Sequence, residues 1–277
     1  MNKHTSLLAS LVFLASCAVA PATGERGFAA ESELTACVDS LSNDDQFHYH
    51  ALDAEGFSLL NWNIEKAKHP KWPSDLERLG NTASLVTLQE AVPELPISNK
   101  FGRLHWSFAE GFGIRDNLTG VMTLSEVQPI GVCEFTELEP VFRTRKATLV
   151  TNYPIYEMDE TLLVVNLHGV NFSMGLGALE AQFNDASKII AQHDGPVIVS
   201  GDFNTWRRGR HDLMENLMAA HELRPVEFED DYRKRFMGWP LDHILVRGLK
   251  ATQATTLELD SSDHNPMLVK LVVSSET

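Results

Sequence analysis

Short apolar runs that end in a polar side chain recur along most of the chain. In the stretch from Pro196 to Asn204, Val197, Ile198 and Val199 form a β-branched run without polar alternation, as in a strand buried on both faces. The run breaks at Ser200-Gly201 and presents Asp202 and Asn204, alternate positions that point to one side of an extended chain. An Asx turn followed by a helix cap would use the same two residues, so that reading stays open at this point. Phe57–Asn63, 85–90 and Thr161–His168 follow the same pattern, ending near Asn63, Glu90 and His168. Further strand-like runs fall at 119–124, 130–135, 147–151, 241–246 and 266–273, some separated by Pro129, Pro140 and charged turns.

Helical spacing is confined to a few places. Trp72-Pro73-Ser74-Asp75-Leu76 opens a helix that Gly80 stops. Leu176, Leu179, Phe183, Ala186 and Ile190 form one apolar face, ended by Gly195-Pro196, and Leu213, Leu217 and Met218 form another. Strands and helices mix without strict alternation, which favours an α/β (α+β) sandwich of mixed sheets over a barrel or a doubly wound sheet.

The 277 residues are 43% hydrophobic and 22% charged, enough for a packed core. A net charge of −15 argues against a protein that coats long nucleic acid non-specifically. Lys3 and His4 precede the apolar run from Leu7 to Leu14, too short to cross a hydrocarbon core of ~30 Å and suited to an export signal. Leu14-Ala15-Ser16-Cys17 resembles a bacterial lipobox, so residues 1–16 read as a lipoprotein signal and Cys17 as the lipidated residue of an exported, membrane-anchored chain facing the periplasm or the cell surface. Residues 17–55 read as a tether and 56–277 as the compact domain. Cys37 and Cys133 remain, and export permits a disulfide between them, although their spacing does not decide it.

The strand ends gather Asn63, Glu65, Glu90, His168, Asp202, Asn204, Asp242, Asp263 and His264. Oxygen ligands without thiolate suit a hard cation, Mg²⁺ or otherwise Mn²⁺ or Ca²⁺, and histidines beside carboxylates suit acid/base work near neutral pH. Each has a structural alternative. Glu65 could pair with Lys66, Asn63 could bond the backbone, His168 could be a core residue bonded to Asn166, and His243 could rival Asp242.

In chain order, Leu60-Asn61-Trp62-Asn63-Ile64-Glu65, Leu88-Gln89-Glu90, Asn166-Leu167-His168, Gly201-Asp202-Phe203-Asn204, Leu241-Asp242-His243 and Ser262-Asp263-His264-Asn265-Pro266 together resemble the endonuclease/exonuclease/phosphatase (DNase-I-like) superfamily. Residues 119–125 and 165–173 further resemble its bacterial YafD-like branch. The resemblance implies a four-layered α/β sandwich, two mixed sheets face to face with helices outside. It implies a cation held by Asn63 and Glu90, with Glu65 and Asp263 as further ligands. His264 would be the general base oriented by Asp242, Asp202 would position or deprotonate the attacking water, and Asn204 and His168 would contact phosphate oxygens. The implied activity is metal-dependent phosphoester hydrolysis by a monomer, with nucleic acid or nucleotide favoured over phospholipid as substrate. Three basic clusters (Arg143, Arg145, Lys146; Arg207, Arg208, Arg210; Arg233, Lys234, Arg235), with Phe236 and Trp239, suit phosphate recognition and stacking around such a site.

Overall fold

The computed structural model describes residues 31–42, 50–93, 104–114 and 117–274. The signal segment and Cys17 lie outside the described residues. Twelve of the strands form two six-stranded mixed sheets. In the first, β13 (Leu249–Thr256), β14 (Met267–Val273), β1 (Phe57–Asn63), β2 (Leu85–Ala91), β4 (Asn117–Ser125) and β3 (His105–Ile114) lie in that order. In the second the order is β5 (Gly131–Leu138), β6 (Arg145–Pro154), β7 (Thr161–His168), β8 (Val197–Asp202), β12 (Asp242–Arg247) and β9 (Arg224–Pro225). β10 (Arg235–Phe236) and β11 (Trp239–Pro240) make a separate small hairpin. Among the described strands the parallel pairs are β1–β2 and β7–β8, and each delivers two polar strand ends to the same edge of its sheet.

The sheets stack face to face. Phe57, Leu59, Leu85, Val164, Ile198, Ile244 and Leu271 fill the space between them. Because side chains alternate along a strand, the intervening residues face outward. Leu60, Trp62, Val86 and Leu88 pack under α2 (Trp72–Gly80) on one outer side. Val165, Val197, Val199 and Leu245 pack under α3 (Gly177–Ile190) and α4 (Arg208–His221) on the other. These are the four layers expected for the superfamily.

The stretch read as tether contains a helix, α1 (Glu31–Leu41), whose Cys37 and Leu41 are buried in the core beneath α3. Cys37 is bonded to Cys133 on β5. Leu52 is also fully buried, and its backbone bridges to Ile155. The segment was hard to read because its few apolar residues are spread over one short helix that a covalent bond holds down. Five strands had no clear sequence signal: β9, β10 and β11, two residues each, are too short to carry one, and the longer two are β3 and β13. Both are sheet edges, where polar and charged residues relieve the risk of further pairing and blur the alternation.

The disulfide joins residues 96 apart. Reducing it, or replacing Cys37→Ser, is expected to lower the unfolding free energy by about 2–5 kcal/mol, read from urea midpoints with and without reductant. An unchanged midpoint would show that α1 is held by packing alone.

Candidate active site

Strand register assembles the site. His168, Asp202 and Asp242 lie side by side across β7, β8 and β12. In the opposing sheet, Asn63 at the end of β1 lies beside Gln89 of β2, and a bulge follows at Glu90, which lines the cleft. Gly201 has φ +148°, and a Cβ there would meet the Leu167 carbonyl oxygen at 1.9 Å, so only glycine lets β8 approach β7 this closely just before Asp202. Glu65, Lys66, Ala67, Glu90 and Asn204 all have positive φ, a concentration of backbone strain around one cleft.

Asp202 is the hub. Its Oδ2 accepts a hydrogen bond from Asn63 Nδ2 at 3.1 Å, across the two sheets. Its Oδ1 accepts the Asn204 backbone N–H at 3.0 Å, so the Asx turn and the cleft position coexist. His168 Nε2 and His264 Nε2 each lie 3.8 Å from Oδ2. Burial raises the Asp202 carboxyl to about 6, with His264 acting in the opposite direction.

His264 is clamped by Asp242, whose oxygens lie 3.0 and 2.8 Å from Nδ1. Burial favours the neutral ring, but Asp242 and then Asp202 outweigh it and raise the imidazole to about 10. His243 takes no part. It points to Thr205 Oγ1 at 2.7 Å, and burial lowers its pKa to about 3. The 262–264 turn is pinned to β1 through Trp62 Nε1 donating to the His264 carbonyl (2.9 Å) and Ser262 Oγ donating to the Asn63 carbonyl (2.6 Å).

Asn63, Glu65, Glu90, Asp202, Asn204, Asp263, His168 and His264 all line one cleft of about 640 Å³. Asp242 stands behind His264. Asp202, Asp242 and His264 are also close enough together for their donor atoms to share an ion. On the opposite bank Glu65, Glu90 and Asp263 offer carboxylate oxygens, while Asn63 turns its amide nitrogen to Asp202 and its Oδ1 accepts the Glu65 backbone N–H at 3.1 Å. Lys66 Nζ is ion-paired with Glu90, and Lys68 Nζ, 3.1 Å from Glu65, feels Glu65 and then Glu90 and Asp263. This bank therefore attracts positive charge, and its donor set fits a hard dication.

Several expectations change. His168 is bonded to Lys146, not to Asn166, with Nζ to Nε2 at 2.9 Å. Burial, then Lys146, drives the imidazole well below its ordinary pKa, so Nε2 accepts from the Lys146 ammonium. Of the three basic clusters, Arg145, Lys146 and Lys234 reach the cleft. Arg210 is fully buried and bonds the carbonyls of Asn204 and Val170 and the Ser173 hydroxyl. Arg233 pairs with Asp231 and donates to the Asp242 carbonyl. Trp239 packs on His211 and Phe236 on Trp206, outside the cleft. One contributor had no sequence signal. Glu139, only 2% exposed, accepts the backbone N–H groups of Asn171 and Phe172 and the Thr144 hydroxyl.

A sequence model described as the Endonuclease/Exonuclease/phosphatase family matches residues 60–264. Similar structures include an endonuclease/exonuclease/phosphatase from Beutenbergia cavernae DSM 12333, with TM-score 0.63 and 15% identity, covering 79% of this chain and 72% of that one. The human Nocturnin catalytic domain with bound sulfate anion superposes with TM-score 0.61 and 16% identity, covering 81% and 97% respectively. A mannosyl-6-phosphatase from Bacteroides thetaiotaomicron VPI-5482 superposes with TM-score 0.59 and 15% identity, covering 78% and 99%. At these identities the likeness is one of fold.

The raised His264 pKa stabilises the folded chain fully below the unfolded-state value of about 6.5, and that contribution is lost as pH rises through about 10. The His264 ring is expected to remain protonated at pH 8 in metal-free protein, followed by NMR. Asp242→Asn should bring its titration midpoint down by about two pH units. A midpoint near 6.5 in the wild type would remove the clamp from the account.

Proposed function

Because the chain belongs to the Endonuclease/Exonuclease/phosphatase family, we propose that its cleft hydrolyses a phosphodiester with water, assisted by a divalent cation. The observation that carries this reading is the buried Asp202. It lies 3.8 Å from a clamped imidazole, across the cleft from the carboxylates of Glu65, Glu90 and Asp263.

Asn63, Glu65, Glu90 and Asp263 would hold the cation, whose charge would offset that developing on the phosphoryl and leaving oxygens. Asp202, with its pKa lifted to about 6, is basic enough to take a proton from the attacking water while remaining ionised at neutral pH. His264, charged under the same conditions, holds Nε2–H toward Asp202 and the cleft. It thus stabilises negative charge more readily than it removes a proton. This reading gives base duty to Asp202, where the resemblance implied His264, and Asp242 keeps His264 oriented. The water oxygen bonds to phosphorus, and the ester P–O bond breaks. Lys146, steadied by His168, and Asn204 face the non-bridging oxygens.

Asp202→Asn and His264→Ala are each expected to lower turnover of bis-p-nitrophenyl phosphate by about 10²- to 10⁴-fold, with the far-UV spectrum unchanged. Chelation of divalent cations should abolish turnover, and Mg²⁺ should restore it. Turnover that survives either substitution would reject the assignment. For the membrane address, Cys17→Ala is expected to release the protein from membranes; persistent membrane fractionation would count against acylation.

A further inference from the structure

Phe142 and Phe172 are 61% and 52% exposed, yet they are not loosely held surface residues. Their rings meet edge to face with centroids 4.9 Å apart, and both line the cleft beside Arg145, Lys146 and Asn171. The two loops that carry them share one buried support, the Glu139 carboxylate. One of its oxygens takes the N–H groups of Asn171 (3.0 Å) and Phe172 (2.8 Å), and the other takes the Thr144 hydroxyl (2.6 Å). The first loop closes as a tight turn, with the Arg143 N–H on the Glu139 carbonyl at 2.9 Å and Arg143 itself at φ +54°. The second is held again from beneath. Trp206 Nε1 donates to Asn171 Oδ1 at 3.0 Å, and Arg210 donates to the Val170 carbonyl and the Ser173 hydroxyl. A buried carboxylate and a buried guanidinium thus display two aromatic rings to solvent in a fixed geometry. Such preorganisation lowers the ordering cost of binding.

We propose that Phe142 and Phe172 form a stacking subsite for a planar base, making the substrate a phosphoester with a nucleoside on one side of phosphorus. This rests on the phosphoester reading of the cleft. An edge-to-face pair leaves a ring face open, and a base stacks on such a face whatever its identity. Charge complementarity selects the rest of the ligand. Arg145, whose guanidinium donates to Thr136 Oγ1 at 3.0 Å, and Lys146, bonded to His168, line the same cleft as the rings, so an anionic group next to a planar one matches this lining better than an acyl chain does. The cleft volume of about 640 Å³ suits a nucleotide-sized ligand. The net charge of −15 works against a long duplex at the same site.

The test compares AMP with ribose 5-phosphate, which carry the same phosphate and differ by the base, by isothermal titration into the full chain with Ca²⁺ present. The wild type is expected to bind AMP about tenfold more tightly or better. Phe142→Ala/Phe172→Ala should bring the two affinities within about twofold by weakening AMP alone. Equal affinities in the wild type, or a ratio the double substitution leaves unchanged, would overturn the subsite while leaving the phosphoester reading intact. Binding of neither ligand would overturn both. Val141 and Met174 are exposed on the same loops, so flotation with phosphatidylglycerol vesicles and sedimentation are run in parallel. Loss of vesicle binding or of self-association in the double variant, with the ligand ratio unmoved, would assign the rings to a membrane or to a second copy.

Discussion

A buried amide and hydroxyl network holds the two sheets in one relative position, and the cleft depends on it. Thr87 Oγ1 lies 2.9 Å from Asn61 Oδ1 and 3.0 Å from Ser200 Oγ, and Gln89 Nε2 donates to Asn61 (3.0 Å) and Asn166 (2.8 Å). Asn166 in turn donates to the carbonyls of Leu88 and Met122. Asn61, Asn166 and Ser200 stand two residues before Asn63, His168 and Asp202 on their own strands. With a period of two, each lies on the same inner face, one step deeper than a cleft residue. An all-apolar interface could slide by small amounts at low cost, because dispersion and burial are not directional. Hydrogen bonds between buried polar groups are directional and costly to leave unmade, so they fix the separation that lets Asn63 reach Asp202.

The same physics explains how an acidic protein tolerates this concentration of buried charge. Asp202, Asp242 and His264 are each under 9% exposed, so each charge would be expensive alone. Two carboxylates around one imidazole make the protonated ring the favoured partner. The surplus negative charge on the opposite bank is met by Lys66 and Lys68 from the strained turn after β1. Lys146 closes the set beside His168; burial lowers the pKa of its ammonium, and the carboxylates of Glu90, Glu139 and Asp202 act against that shift without cancelling it. The cleft is thus nearer to local neutrality than the chain's composition suggests, and it remains open to an anionic ligand.

The sequence carried the fold chiefly through strands whose ends break from apolar to polar. Where that contrast is strong, as in β7 and β8, the element and its functional end were both legible. Edge strands β3 and β13 carry mixed faces and were missed for that reason. The candidate residues were legible as types at strand ends, but their partners were not. Asp242 and His243 are adjacent and equally polar, and only the strand's face decides that one meets His264 and the other Thr205. Likewise Arg207, Arg208 and Arg210 look alike in sequence. Helix geometry turns Arg210 inward to bond three backbone or hydroxyl acceptors and leaves Arg208 exposed.

Glu139 shows why such supports escape a sequence reading. Nothing distinguishes it locally from the exposed Glu134, because two of its three partners are backbone N–H groups more than thirty residues away. A carboxylate buried to 2% exposure is retained at a cost in desolvation, which three hydrogen bonds from two loops offset. Since those loops contribute little apolar burial of their own, the stabilisation goes into fixing one loop geometry. The rings that result pack on each other but stay more than half exposed, so they add little to folding. Binding energy is the remaining use for so rigid a display, and its position on the wall of the cleft, beside Lys146, directs that use to the ligand whose phosphate the cleft receives.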